Sequence, residues 1–331
     1  MIEALANKLM KPIATLSLDL DNLWSYMKTH GDLGWGSFPS YLPAVIPRLL
    51  DFFGQRHLTL TFFVVGQDIA EVRNRDAIRA IAEAGHEIGN HSFSHEPWLH
   101  LQSDTHIEDE IARTEELLVS IVKTRPVGFR GPGYSFSANT MRVLKRRGYL
   151  YDASLLPTWI GPLARSYYFL MSHLNGDQLE QRRALFGCFR DCFEPLKAHQ
   201  LGPELGDLLE IPVTTMPVFR VPIHASYVLY LATFSRKLAL SYFRFAVYLC
   251  RLTGVQPSLL LHPLDFISSG EAPDLAFFPA MGLPARTKTE LLTEIMDIYC
   301  DSFSVLTLKE YAEQIAPIAT RAVEPQQSSV F

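Results

Sequence analysis

The sequence predicts an α/β fold in which parallel strands alternate with helices and form an irregular barrel of seven or eight βα units. Short apolar runs alternate with longer amphipathic segments, a pattern typical of parallel βα units with short connections. Gly85 and Gly148 stand where a glycine ends a helix just before the next strand. The number of strands favours a barrel over an open sheet. The candidate strands are Ile13–Leu18, Leu58–Val65, His86–Gly89, Val127–Arg130, Tyr149–Ala153, Leu208–Val213, Ser258–Leu261 and Phe303–Leu306.

Helical periodicity accounts for the segments between the early strands. We expect helices near Tyr41–Phe53, Asp68–Ala84, Ile107–Lys123 and Asn139–Arg147. The domain organisation that we predict is a single barrel domain with C-terminal helices. Its parts are an N-terminal extension (1–12), the barrel (13–315), an insertion without a clear counterpart in the pattern (155–207), a basic aromatic helical segment (223–252) and a flexible polar tail (316–331).

Composition excludes several classes of protein. Of the 331 residues, 48% are hydrophobic and 20% are charged, which excludes a disordered chain, a coiled coil and a fibrous repeat. The net charge of −5 is not the electrostatic pattern of a nucleic-acid-binding chain. The first residues show no apolar signal region, and no stretch reaches the 18 uncharged apolar residues of a membrane span. We therefore expect a cytoplasmic protein that does not bind nucleic acid.

One segment differs in charge from the rest of the chain. Between Ile211 and Leu264 there is no acidic residue, five residues are basic and eight are aromatic. Lys237, Arg244 and Arg251 are spaced by seven, which keeps them on one face of a helix. Such a helix can lie on an anionic membrane surface. The alternative is a core helix with a solvated basic stripe.

Two carboxylates follow the first predicted strand. Asp19 and Asp21 occur in Leu18-Asp19-Leu20-Asp21, and alternate residues of a strand point the same way, so the two can converge on one point. In parallel βα folds the carboxyl ends of strands carry the functional sites. One carboxylate can bind a metal while the other acts as a base. The alternative is that both end the strand in an Asx turn.

A pair of histidines follows the third predicted strand. His91 and His95 are four residues apart, and in a turn or helix this spacing can present both imidazoles to one metal ion. In a chain with 11 histidines the alternative is a chance pair. The position just after a strand supports the metal site.

Two more polar residues end predicted strands. Arg130 could hold a carboxylate with its planar guanidinium, although it could also be an ordinary loop arginine. His262 closes the apolar run Leu259–Leu261, where a histidine can equally be a satisfied core residue. The ordered combination of Asp-x-Asp, His-x-x-x-His, arginine and histidine at four strand ends is more specific than any one member.

In this ordered set the sequence resembles the polysaccharide deacetylases (NodB-homology proteins, carbohydrate esterase family 4), over about Ile13 to Phe266. The Asp-x-Asp form is similar to the branch that contains cytoplasmic deacetylases, lipid-linked aminoarabinose deformylases and cofactor-independent allantoinases. The resemblance implies the family's barrel. It also implies a general base (Asp19), an arginine that tethers the base (Arg130), a general acid (His262) and three metal ligands (Asp21, His91 and His95).

The resemblance extends to the substrate region. The family's Arg-x-Pro-Tyr motif has an extra residue here, so the oxyanion and substrate contacts fall on Gly133 and Tyr134. Asp152 stands in the place of the fourth motif, whose tryptophan is missing unless Trp159 substitutes. Four aromatic residues that follow the first two motifs, Trp24, Tyr26, Trp35 and Trp98, could stack on sugar rings, unless the tryptophans only pack loops.

The resemblance implies one divalent metal, zinc by default, with cobalt, nickel, manganese or iron also compatible with two histidines and an aspartate. The expected reaction removes an acetyl or formyl group from an amino sugar on a glycolipid, lipid carrier or saccharide intermediate. One alternative is hydrolysis of a small cyclic amide, as in allantoinases. Another is a binding protein that kept the scaffold and lost catalysis. The basic segment adds the expectation of peripheral association with the inner membrane.

Overall fold

The computed structural model describes residues 11–161, 189–205 and 207–323, with side chains up to residue 315. The strands are β1 (Ile13–Asp19), β2 (Thr61–Val64), β3 (Glu87–Asn90), β4 (Gly128–Phe129), β5 (Tyr151–Asp152), β6 (His199–Gln200), β7 (Leu209–Glu210), β8 (Ser258–Leu261) and β9 (Ser304–Leu306). The α-helices are α1 (Leu23–His30), α2 (Leu42–Gly54), α3 (Gly66–Ala70), α4 (Arg75–Glu83), α5 (Asp104–Leu117), α6 (Ala138–Arg146), α7 (Ala225–Phe234), α8 (Arg236–Thr253), α9 (Ala285–Ser302) and α10 (Leu308–Val323).

The strands form one curled sheet, which confirms the predicted α/β class and the irregular barrel type. The strand order is β6-β7-β5-β4-β3-β2-β1-β8, with β9 also paired to β1. Every pairing is parallel except that of β6 with β7. After β7, the backbone amide of Thr214 donates to the carbonyl of Ser258 in β8 (3.0 Å), so the two ends of the sheet approach each other. The result is an incomplete barrel.

The register of the central strands brings their carboxyl ends to one edge. Asp19 pairs with Phe63 of β2, while Leu18 pairs with Leu261 of β8. Apart from the partly buried Ile13, the apolar residues of these strands are buried between the curled sheet and the surrounding helices. Since parallel strands present their carboxyl ends together, the polar residues that follow β1, β3, β4 and β8 are close in space.

Two predicted helices are broken in the structure. The segment expected as one helix over Asp68–Ala84 is divided into α3 and α4 by a short 3₁₀ turn, Val72–Asn74. The side chains of Asn74 and Arg75 donate to carbonyls at the end of α3 and thereby replace the helical hydrogen bonds. The basic aromatic segment 223–252 is also divided, because Ser235 is extended and caps α8 by accepting from the amide of Leu238.

Several predicted boundaries fall differently or outside the described chain. The 155–207 insertion contains β6, which was not predicted, and residues 162–188 and 206 lie outside the described part. The tail predicted over 316–331 begins inside α10, whose backbone continues to Val323. Of the predicted extension 1–12, only the last two residues are described. Within the described ranges, each helix is too short or too polar to cross a membrane.

Candidate active site

Three predicted metal ligands converge at the carboxyl ends of β1 and β3. Oδ1 of Asp21 lies 2.9 Å from Nε2 of His95 and 3.3 Å from Nε2 of His91. One ligand atom from each residue lies within 4.8 Å of the other two, and all three side chains are buried. Burial raises the pKa of Asp21, but His95 and His91 outweigh this effect and hold that pKa well below its ordinary value. The carboxylate is therefore ionised.

The donor set fits a divalent metal. Nδ1 of His91 donates to the carbonyl oxygen of Arg130 (2.6 Å), and a carbonyl can only accept, so the second nitrogen of this ring is left to face Asp21. Nε2 of His95 faces the same oxygen, while its buried Nδ1 has no partner among the described residues. Two imidazole nitrogens and one carboxylate oxygen suit zinc and other divalent transition metals, and they leave positions open for water and substrate.

A buried ion pair lies next to the triad. Nη1 of Arg130 lies 2.8 Å from Oδ1 of Asp19, and both side chains are buried. The same nitrogen donates to Oγ of Ser17 (2.9 Å), and Nε donates to the carbonyl of Ala153 (2.8 Å). The guanidinium also lies over the ring of Phe63, 4.4 Å from its centroid. These contacts give Asp19 a defined orientation beside Asp21.

A second buried network supports the loop after Arg130. Asp152 on β5 and Glu210 on β7 are register partners, and burial followed by the nearby Asp152 raises the pKa of Glu210 well above its ordinary value. A protonated Glu210 can donate to Asp152. Asp152 in turn accepts from Oγ of Ser154 (2.7 Å), and Ser154 accepts from the amide of Gly131 (2.8 Å). Asp152, which stands in the place of the fourth motif, thus holds the loop after Arg130 in position through Ser154.

His262 begins a third network on the opposite side of the site. Its Nδ1 lies 3.1 Å from Oγ of Ser226 on α7, and the Ser226 hydroxyl donates to Oδ1 of Asp265 (2.7 Å). The other oxygen of Asp265 accepts from the backbone amide of His262 (2.8 Å). Because Ser226 engages Nδ1, Nε2 is the ring nitrogen available to a ligand. Ser226 and Asp265 were not identified from the sequence; the His-Pro-Leu-Asp spacing was a signal for Asp265, whereas Ser226 had none.

A cavity of about 550 Å³ joins these networks. Asp19, Asp21, His95 and His262 reach it from the polar side, and Gly133 and Tyr134 reach it from the loop after Arg130. Its other walls are largely apolar and aromatic and include Leu156, Ile160, Tyr227, Tyr230, Phe278 and Pro279. The described wall contains no lysine or arginine. The cavity therefore suits an uncharged group with an apolar neighbour.

The extra residue after Arg130 changes the backbone of this loop. Gly133 has φ +57°, and a Cβ at this position would lie 2.8 Å from Cβ of Pro97, so the loop requires a glycine here. The amide of Tyr134 donates to the carbonyl of Gly131 (3.1 Å). This amide is already engaged within the turn.

The structure corrects the expectation that Trp24 and Trp98 stack on a sugar. Trp24 is 1% exposed, and its indole nitrogen donates to Asp68 (2.8 Å). Trp98 is 4% exposed and, like Trp24, does not line the cavity. Trp159 lies at the surface, where its indole donates to the carbonyl of Phe219 (2.8 Å). These rings are held by protein contacts, and Trp35 does not line the cavity either. Of the four aromatic residues expected to stack on a sugar, Tyr26 lines the cavity.

His224 was not identified from the sequence, because it lies outside the ordered motifs. Its ring faces that of His262 at 6.4 Å between centroids, and it lines the cavity. Burial and then the nearby His262 lower the pKa of His224 to about 3. It is a neutral imidazole at physiological pH. The hydroxyl of Tyr26 is buried without a partner among the described residues, so Tyr26 and His224 both offer unused polar atoms near the cavity.

Comparisons with known proteins agree with this fold. Residues 32–151 match the family model described as polysaccharide deacetylase. A peptidoglycan deacetylase from Helicobacter pylori is 29% identical over 150 residues, which cover 44% of this chain and 50% of that protein. The chain thus spans about half the length of this curated relative.

Solved structures share the fold at low identity. A candidate polysaccharide deacetylase from Mycobacterium smegmatis aligns with a TM-score of 0.60 at 21% identity, covering 93% of this chain and 91% of that chain. A PuuE allantoinase aligns with a TM-score of 0.58 at 17% identity, covering 95% of this chain and 91% of that chain. The fold is an incomplete α/β barrel, and its site contains an Asp-His-His cluster that could hold a divalent metal ion. Over residues 32–151 the chain is similar to the polysaccharide deacetylase family.

Proposed function

We propose that this chain is a metal-dependent hydrolase that removes an acetyl or formyl group from the nitrogen of an amino sugar. The observation that carries the proposal is the position of Asp19 and His262 at one cavity, beside the triad of Asp21, His91 and His95. A base and an acid are both needed, since amide hydrolysis takes a proton from water and returns one to the departing amine. The relationship to the Helicobacter peptidoglycan deacetylase supports an N-acetylated sugar as the substrate class.

Each residue has a role that its contacts support. Asp21, His91 and His95 would hold the metal, which supplies Lewis acidity that acidifies water and polarises an amide carbonyl. Asp19 accepts the proton of the attacking water, and Arg130 keeps the carboxylate oriented for this transfer. Nε2 of His262 gives a proton to the nitrogen as the C–N bond breaks. Tyr134 and Gly133 border the position of the acyl group.

We further propose that the sugar belongs to a glycolipid, a lipid carrier or a saccharide intermediate, as the resemblance to the Asp-x-Asp branch implies. Support comes from the cavity wall formed by Leu156, Ile160, Tyr227, Tyr230 and Phe278, which offers apolar area beyond the polar centre. A small polar cyclic amide would leave this wall without a partner. The wall therefore favours an amino sugar with an apolar attachment over an allantoinase-like substrate.

The test is release of acetate or formate by protein loaded with Zn²⁺, Co²⁺, Ni²⁺, Mn²⁺ or Fe²⁺. The substrates are N-acetylglucosamine oligomers, an N-acetylglucosamine attached to a polyprenyl carrier, an N-formylated amino sugar on the same carrier, and allantoin. We expect the polyprenyl-linked compounds to have the highest kcat/KM. A preference for allantoin would replace the amino sugar by the cyclic amide. Turnover of none of them by the metal-loaded protein would favour a binding protein.

A further inference from the structure

Helix α8 carries two parallel rows of exposed side chains. The basic row is Lys237, Arg244 and Arg251, and the apolar row is Leu238, Phe245 and Leu252. Both rows repeat every seven residues, so each keeps nearly one direction along the helix, and the rows are about 100° apart. Leu238, Phe245 and Leu252 are 52%, 46% and 67% exposed. Together with Tyr248, which lies between the rows, these six residues are the α8 face.

The opposite side of α8 belongs to the core. Ala239, Phe243, Ala246 and Val247 are buried against the rest of the protein. Burial of this side is enough to stabilise α8 against the rest of the protein. The exposed apolar row of the α8 face therefore contributes little to folding. Exposed apolar side chains that lie together indicate an interaction surface.

The charges of the α8 face are uncompensated within the described residues. Lys237, Arg244 and Arg251 form no ion pair there, whereas the neighbouring Arg236 pairs with Glu294 of α9. The chain from Ile211 to Leu264 contains no acidic residue. Within the described part of the chain, the face thus offers three cations without an ion-pair partner, beside apolar side chains. A surface with negative groups outermost and apolar groups beneath them would be complementary to it.

A neighbouring turn extends the apolar part of this surface. The ring of Phe219 lies 6.1 Å from that of Phe245, and Phe219 is 51% exposed. The preceding Val218 is 75% exposed and has φ +73°, a conformation that is unfavourable for a β-branched residue. The turn thus exposes the side chains of Val218 and Phe219 to water beside α8, and the backbone conformation of Val218 is energetically unfavourable.

The cavity of the active site opens beside the same region. Tyr230 of α7 lines the cavity and packs edge-to-face on Phe234, with 5.3 Å between ring centroids. Phe234 is 68% exposed at the end of α7, immediately before α8. An apolar path therefore leads from the surface near the α8 face to the wall of the cavity.

We propose that the α8 face docks the protein on an anionic lipid surface, with its apolar row and Phe219 entering the interface and its basic row contacting the headgroups. A second copy of the chain is a weaker candidate, because pairing two α8 faces brings two rows of free cations together without acidic residues to compensate them. The proposal goes beyond the hydrolytic function and does not depend on it.

The experiment is co-sedimentation of the full chain with vesicles of phosphatidylcholine alone or with 30% phosphatidylglycerol. We expect binding to the anionic vesicles that weakens with added salt, and little binding to the neutral ones. Substitution of Lys237→Gln, Arg244→Gln and Arg251→Gln should lower the partition coefficient by about 100-fold, since each cation near an anionic leaflet contributes roughly a five-fold effect. A Leu238→Ser, Phe245→Ser, Leu252→Ser variant should also bind weakly.

The matched control is Arg142→Gln, Lys145→Gln and Arg286→Gln, three exposed cations outside the α8 face. It has the same change in charge and should bind like the parent. Failure of the parent to bind anionic vesicles, or equal loss in the control and the α8 charge variant, would overturn the proposal. So would a parent dimer that the Leu238→Ser, Phe245→Ser, Leu252→Ser variant converts to a monomer while lipid binding stays unchanged.

A second readout separates this proposal from the proposed function. Circular dichroism verifies that each variant is folded, and hydrolysis of a water-soluble N-acetylated oligosaccharide is measured without vesicles. The α8 variants should keep the parental rate on this substrate. Docking without turnover of any substrate named under the proposed function would overturn that function alone. Hydrolysis without docking would overturn the lipid surface alone.

Discussion

Nη1 of Arg130 and Oδ1 of Asp19 are 2.8 Å apart at the buried edge of the sheet, although the two residues are 111 positions apart in the sequence. Arg130 contributes a further link, because its backbone carbonyl accepts from His91. One residue therefore orients both the proposed base and a proposed metal ligand.

The Asp19→Asn variant tests the base. The amide oxygen of asparagine can still accept from Arg130, but the side chain can no longer take a proton. We expect kcat to fall by at least about 10²-fold, the lower range for a positioned general base, while metal content and fold are retained. Asp51→Asn, a substitution of an exposed carboxylate on α2, is the control and should keep the parental rate. A fully active Asp19→Asn protein would make Asp19 structural.

Removal of a ligand tests the metal centre. The parent should hold about one divalent ion per chain after dialysis, and Asp21→Ala or His91→Ala should lower this content because each removes one of three donors. Metal content is measured by inductively coupled plasma mass spectrometry. His106→Ala removes a histidine that lies outside the triad and should leave it unchanged. Parental metal content in both ligand variants would contradict the assignment.

Ser226→Ala tests the positioning of His262. The substitution removes the hydroxyl that joins Nδ1 of His262 to Asp265. We expect kcat to fall by about 10-fold, the effect of one lost hydrogen bond to a charged group, without loss of metal. Ser226→Thr retains a hydroxyl and should restore most of the rate. Equal rates for Ser226→Ala and the parent would show that His262 needs no such partner.

Asp68→Asn tests a buried carboxyl group outside the triad. Burial raises the pKa of Asp68 to about 7, although Asn22 and Trp24 donate to it and oppose the shift. In the unfolded chain this group loses its proton near pH 4. Between pH 4 and 7 the folded state thus binds more protons, and the contribution of Asp68 to stability falls as pH rises through this window.

The measurement for Asp68 is the free energy of unfolding from urea titrations at intervals between pH 4 and 8. From pH 4 to about 7 the free energy of unfolding of the parent should fall relative to that of Asp68→Asn. Above pH 7 the difference between the two proteins should stay constant. Asparagine keeps the acceptor for Asn22 and Trp24, so the comparison isolates the ionisation. A difference between the two proteins that does not vary with pH would show that the carboxyl group has an ordinary pKa.

Much of the fold was predictable because strands and helices have different local periods. The apolar run Ser258–Leu261 is a strand with the predicted bounds. Gly85 and Gly148 have the expected positive φ values of 85° and 75°. The break between α3 and α4 was not predictable, since it depends on the side chains of Asn74 and Arg75 satisfying carbonyls of α3. The local sequence alone favours a continuous helix there.

The sequence by itself determined which polar residues end the strands, because a parallel sheet places the carboxyl ends of its strands together. Asp19, Asp21, His91, His95 and Arg130 were located in this way. Only the tertiary structure decided which other side chains join them: Ser226 reaches His262 across 36 positions, and Trp24 turns away from the cavity to bond Asp68. These contacts depend on how helices pack on the sheet, and that packing leaves no short-range signal in the sequence.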